Sequence, residues 1–412
     1  MHLPPRSLPR TTLAALVSVA CLSLPLQANA ALDPALVPPI NASVGTFNLP
    51  LTCAITVPLL FNAKVWNLAT SAAISGAVPS SIGPGQNFYL TQGSGSMTIP
   101  AWITSLAPII GAKSANVTLT EINIGALGAS PEVINIAASP MVINGIPITA
   151  GKPLTAGLPA TGDFSIGPWT APADGLVRLN FSGAKARVDM VNSKGNKVIT
   201  VNANCSTPAG TALLTMEVGG PAGQPDAKVP NTFVKYPALA ANNDNGVIVP
   251  PYRCTLDGRE VDIGIAFGAG SPLKLGKDNT LRYTNAAGAL ILPPDLVNAL
   301  MDQGVSQVSG AVRQLMIQTE GATVPSVDVV AANPGKTELT PLSLQRDQPF
   351  ISPTPASGTL TIPPIVKTSS TATLRMSAGE AAIDLYYNGQ AQAHRLSCGA
   401  PSPRIFLGAS PL

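Results

Sequence analysis

Short alternating runs dominate the chain. In "KARVDMV" (residues 185–191) Ala186, Val188 and Met190 fall on one side and Lys185, Arg187 and Asp189 on the other, the period of a half-buried strand. "DLYYNGQAQAHRLSC" (384–398) sets Asn388-Gly389 between two such runs. Both residues accept the positive φ of a type I′ turn, so the stretch predicts a β-hairpin. Helical spacing is rarer. Pro294-Asp295 followed by Leu296, Val297, Leu300 and Met301 predicts one short helix, and the stretch around Trp102, Ile103 and Leu106 predicts another, cut short at Pro108.

These landmarks occur twice in the same order. "LTCAITV" at 51 answers to "YRCTLDG" at 252, and "NFYLTQGSGSMTIPAWITSL" from Asn87 answers to "NTLRYTNAAGALILPPDLVNAL" from Asn279. "GASPEVINIAASP" from 128 matches "GATVPSVDVVAANP" from 321, and "FSIGPWTAPADGLVRLNFSGAKARVDM" from 164 matches "LTIPPIVKTSSTATLRMSAGEAAIDLY" from 360. Cys205-Ser-Thr-Pro208 answers to Cys398-Gly-Ala-Pro401. A fixed order at nearly constant offset predicts two copies of one domain. Beyond the first thirty residues there are four cysteines, which allow three pairings; the repeat selects Cys53 with Cys205 and Cys254 with Cys398.

The expected fold class is therefore mainly β, with two tandem β-sandwich-like domains at 31–218 and 247–412, each with a short helix and one end-to-end disulfide. Residues 219–246, rich in Gly, Pro, Asn and Ala without sustained period, read as an extended linker. Its Asn242-Asn243-Asp244-Asn245-Gly246 run has oxygen ligands of the calcium type but lacks the later bidentate Glu, so a solvated turn is expected there.

Residues 1–30 read as a signal peptide. Arg6 and Arg10 precede an apolar run from Leu13 to Leu26, and Ala28-Asn29-Ala30 places cleavage before Ala31. Cys21 weakly resembles a lipid-anchor site, but the apolar run continues past it. No later stretch has the length of a membrane span. The expected location is secreted, periplasmic or cell envelope, where disulfides persist.

Removing Arg6 and Arg10 leaves 24 − 2 = 22 basic against 21 acidic residues. Such neutrality argues against nucleic acid, or an anionic membrane surface, as the main partner, because both need a concentrated basic face. With 45% hydrophobic residues, disorder is excluded for most of its length.

Candidate chemistry is sparse. The sequence contains neither G-x-S-x-G nor a P-loop, it has no zinc spacing, and no cofactor is implied. His394 is the sole histidine after the leader, and Asp384 lies across the same predicted hairpin. A hydrolase of hydrophobic esters would use His394 as base with Asp384 orienting it. The first copy has no histidine, although Asp189 aligns with Asp384; a cross-strand partner such as Lys197 is the structural reading of that aspartate. The favoured expectation is a non-catalytic module binding a surface, a polymer or an apolar ligand, because duplication raises avidity where both copies engage.

The cysteine-led first strand, the apolar-Thr-apolar-Pro step before a short helix, the Gly-Ala-Ser/Thr-Pro segment and the closing hairpin ending in Cys-x-x-Pro resemble an uncharacterised exported bacterial β-domain family, often tandem and common in actinobacteria. The resemblance covers residues from about 45 to the C-terminus apart from the linker. It implies an extracytoplasmic β module and transfers no catalytic residue.

Overall fold

The computed structural model describes residues 32–58, 63–159, 162–208, 212–230, 243–272, 275 and 277–410. The predicted leader with its Cys21 and Ala31, and positions 231–242 of the predicted linker, lie outside the described residues.

The first half contains β1 (Ala42–Val57), β2 (Ala63–Pro79), β3 (Asn87–Ile99), α1 (Ala101–Thr104), β4 (Ser114–Leu127), β5 (Val133–Asn135), β6 (Met141–Pro147), β7 (Leu154–Leu158), β8 (Phe164–Thr170), β9 (Leu176–Val191), β10 (Lys197–Ser206) and β11 (Leu214–Glu217). The second half contains β12 (Asn243–Val249), β13 (Pro251–Leu256), β14 (Arg259–Pro272), β15 (Thr280–Leu281), β16 (Thr284–Leu292), α2 (Pro294–Asp302), β17 (Gln307–Glu320), β18 (Ser326–Asp328), β19 (Glu338–Ser343), β20 (Phe350–Thr354), β21 (Ile365–Val366), β22 (Leu374–Tyr387), β23 (His394–Cys398) and β24 (Phe406–Ser410). The protein is mainly β, and its long ladders are antiparallel.

In the first half the ladder runs β7-β3-β2-β1-β10-β9-β4-β6, and β6 touches β7, so the sheet bends round to enclose its core. In the second it runs β20-β16-β14-β13-β23-β22-β17-β19, with β19 against β20. Alternation drives these strands: along β9, Ala186 and Val188 are buried while Lys185 and Arg187 face solvent. Cys53 lies directly opposite Cys205, and Cys254 opposite Cys398; both pairs are disulfide-bonded.

The closing hairpin turns at Asn388 (φ 50°) and Gly389 (φ 72°), both left-handed as a type I′ turn requires. Asn388 does more than turn the chain. Its Oδ1 accepts hydrogen bonds from the backbone N–H groups of Ser306 (2.8 Å) and Gln307 (3.1 Å), fixing the loop that follows α2. In α2 the apolar spacing buries Val297 and Leu300, whereas the chain after α1 tightens at Pro108 into a 3₁₀ turn, Ala107–Ile110.

The polar run at 243–246 is strand, not a solvated turn. β12 pairs with β1 on one side, from Ala42↔Val249 to Thr46↔Asn245, and with β14 on the other. The crossing works because Gly246 faces Gly45: a Cβ on Gly246 would stand 2.8 Å from the carbonyl oxygen of Val44. Buried Val247, Ile248 and Val249 then anchor the strand and carry its polar start with it. A small core forms at this seam from Ala42, Val44 and Ala77 of the first half and Val247, Val249, Ala266, Ala289 and Ile291 of the second. Each half keeps its own larger core beside it. Positions 219–230 are held along β3, where Tyr89 N–H donates to Ala227 (3.1 Å) and Ala227 N–H to Asn87 (2.7 Å).

Arg404 of the second half also reaches across. It donates to Glu217 of the first half through Nε (3.0 Å), Nη2 (2.8 Å) and its backbone N–H (2.7 Å), and its Nη1 pairs with Glu320. Burial pushes the Glu217 carboxyl up, but the Arg404 hydrogen bonds outweigh it and the net shift is downward.

Candidate functional site

The interior of the second half is incompletely filled. A cavity of about 380 Å³ lies among β14, β16, β17 and β22 and extends to β1 and β11 of the first half, which contribute Val44, Phe47, Leu49 and Leu214. That volume is within the range of small-molecule sites. Its walls are aliphatic and aromatic, and small residues on β14 and β16, Gly268, Ala269, Ala286, Ala287 and Gly288, leave the space.

The first half has a cavity at the corresponding place, of about 100 Å³. Correspondence follows from the ladders. Ile136 N–H donates to Ile122 O and Val329 N–H to Leu315 O; Gly93 faces Phe164 and Ala286 faces Leu360; all eight residues line one cavity or the other. Phe181, opposite Ile124, fills the first; opposite Ile317 the second half has Ala378. A smaller side chain at this position thus accompanies the larger cavity.

One polar residue stands out in the wall of the larger cavity. Where the first half lines its cavity with Leu90, the second has Tyr283, whose hydroxyl is buried with no hydrogen-bond partner among the described residues. Burial pushes this phenol well above its ordinary pKa. An uncompensated buried hydroxyl is costly, by about 1–3 kcal/mol. The sequence carried a trace of it, a tyrosine in the second half where the first half has an apolar residue, but not its direction.

His394 and Asp384 are not brought together. Asp384 lies opposite Arg395, and its carboxylate accepts from Arg313 Nε (2.9 Å) and Arg395 Nε (3.2 Å). His394 sits opposite Leu385, so its side chain leaves the other face of the sheet. There its Nδ1 is 2.6 Å from Asp257 Oδ2, and its ring stacks on Tyr387 with centroids 4.1 Å apart. Burial, with a contribution from Asp257, pushes the Tyr387 phenol up to about 12. A relay through Asp384 is thus replaced by a His394–Asp257 pair. Asp257 lies in the β13–β14 turn with φ 50° and was invisible to hairpin reasoning. No hydroxyl of a described residue is hydrogen-bonded to the other ring nitrogen of His394.

Asp189 and Asp384 also differ in register. Asp189 lies opposite Thr200, 205 − 200 = 5 positions before Cys205, whereas Asp384 lies opposite Arg395, 398 − 395 = 3 before Cys398. Asp189 is bonded by Thr200 and Arg187, with Lys197 Nζ 3.9 Å away. Both aspartates hold basic residues on a strand surface. No group of three or more His, Cys, Asp or Glu among the described residues could hold a metal ion.

Burial pushes the Asp384 carboxyl up, but hydrogen bonds from Arg313 and Arg395 outweigh it and hold it below the ordinary value of 3.8. A lowered folded-state pKa stabilises above the unfolded value and loses that contribution as pH falls through the folded one. Asp384→Asn should therefore cost about 1–2 kcal/mol at neutral pH, the exposure of both arginines having been allowed for. Thermal melts of both proteins should converge as pH drops below about 3.8. A gap that persists in acid would assign the loss to packing instead.

No described helix is long and apolar enough to cross a membrane. The chain matches no family model, and neither a curated protein nor a solved structure is similar to it, so the resemblance to the exported tandem β-domain family rests on the quoted landmarks alone.

Proposed function

We propose that the chain is an exported, non-catalytic envelope or secreted protein of two repeated β modules, and that its second module binds an apolar ligand carrying one hydrogen-bonding group. The observation that carries this reading is the 380 Å³ apolar cavity with Tyr283 in its wall, the hydroxyl of which is buried without a partner among the described residues. A buried hydroxyl in a hydrocarbon-like site costs free energy until a ligand supplies its partner. A long-chain acid, alcohol or sterol-like molecule has the required form: a body that fills the space, and one oxygen that meets the phenol. The smaller cavity leaves the first module with a supporting role, since its β1 and β11 complete the wall of the larger one. The hydrolase alternative loses its proposed orienting acid, because Asp384 is held by two arginines.

Native mass spectrometry of the protein released by an exporting host should show a bound apolar species, and a fluorescent polyene fatty acid should bind at one site per chain. Ala287→Trp, which fills the wall with an indole, should weaken the probe at least tenfold. Tyr283→Phe should keep or raise the melting temperature, because it removes an unsatisfied hydroxyl, yet weaken the fatty acid by about 1–2 kcal/mol while leaving a hydrocarbon analogue unaffected. Equal affinity in wild type and Ala287→Trp would overturn the assignment.

A further inference from the structure

A second surface stands apart from the cavity. At the end of the first half where β3 leads into α1, Trp102 is 56% exposed, Leu106 46%, Ile109 79% and Ile110 39%. Four large apolar side chains within nine consecutive positions stand in solvent there, on a turn rather than in a groove. The adjoining loops converge on the same end: Thr104 Oγ1 donates to Lys152 O (2.7 Å), Ile148 N–H to Lys113 O (2.9 Å), and Lys113 N–H to Val191 O (2.8 Å). These segments bring up Lys113, Lys152 and Lys194, all exposed. Segments 100–115, 146–153 and 190–196 contain no acidic residue. The adjacent Asp189 is already bonded by Thr200 and Arg187.

The same place in the second half is built differently. α2 turns Val297 and Leu300 inward and carries Asp295 and Asp302 outward, with Asp302 paired to Arg346 at 2.7 Å. Fold geometry at this position therefore does not require an apolar, basic exterior; the first half alone carries one.

We propose that this tip docks on an anionic lipid surface, with Trp102, Leu106, Ile109 and Ile110 entering the headgroup–acyl boundary and Lys113, Lys152 and Lys194 resting against lipid phosphates. A protruding turn suits a bilayer, whose surface yields around it, better than a preformed pocket on a partner. Tryptophan is favoured at that boundary, and aliphatic side chains gain by entering the acyl region. Each lysine near an anionic surface adds about fivefold in affinity at low salt. Overall neutrality of the chain does not oppose this, because the field at a surface within a Debye length, about 10 Å, is set by local charge. The inference does not depend on what the cavity holds.

Cosedimentation of the protein, as an exporting host releases it, with vesicles of phosphatidylcholine with or without phosphatidylglycerol tests the proposal. Binding should require phosphatidylglycerol and weaken with salt. The Ile109→Ser/Ile110→Ser double variant should bind at least tenfold less. Lys113→Gln/Lys152→Gln/Lys194→Gln should do likewise at low salt and flatten the salt dependence. All five positions are exposed, so unchanged melting temperatures should accompany these losses. Absence of vesicle binding by the wild type, or binding by either variant as strong as wild type, overturns the proposal. So does a wild-type dimer in sedimentation that Ile109→Ser dissociates, because the tip would then meet a second copy of the chain.

Discussion

Replacing Cys254 and Cys398 together by serine should lower stability by about 4–5 kcal/mol, the loop-closure value for a bridge that spans 144 positions. The bridge joins residues already opposite each other on β13 and β23, so the folded state needs no rearrangement to accommodate it. Its effect should fall on the unfolded chain, which gains freedom when the bridge is absent. β23 is only five residues long, and it is the strand that links β13 to β22 and so continues the ladder of the second half. Denaturant titration should show the midpoint drop, with a steeper dependence on denaturant as the unfolded state expands. A loss below about 1 kcal/mol would mean that the unfolded chain stays compact without the bridge.

Both bridges were legible before the structure, because the order of landmarks left one pairing that kept each half to itself. α2 and the Asn388-Gly389 turn were legible for a local reason: spacing and φ preference act within a few residues. What failed was longer in range. Asn243–Gly246 has the composition of a turn, yet flanking ladders and the Gly45–Gly246 crossing draw it into β12. Asp189 matches Asp384 only on the local likeness of Val188-Asp189-Met190 to Ile383-Asp384-Leu385, which carries no register, and β4 and β17 each carry register shifts where they pair with β9 and β22. The acid beside His394 lies 137 positions away, on a turn of another hairpin. The cavity was the least legible feature, since alternation tells which residues face inward but not whether they fill the space.

The seam yields the last expected result. A protease cut within 231–242 should leave wild type as one particle in nondenaturing gel filtration, although neither disulfide joins the two fragments. Five β1–β12 register pairs, the small core beside them and the Arg404 bonds to Glu217 hold the halves together. Gly246→Val should undo this. Its side chain would drive into the carbonyl of Val44, 2.8 Å from the ideal Cβ position, so the backbone of β12 or β1 must shift at the crossing. Overpacking of this kind costs about 1–3 kcal/mol, and here it is concentrated on the ladder that joins the halves. The nicked variant should therefore elute as two fragments, each retaining β circular dichroism from its own core. If nicked wild type separates as readily as Gly246→Val, the ladder contributes little, and contacts formed by the intact connection hold the halves. If the separated fragments unfold, the seam is part of one cooperative core and the halves are not independent units.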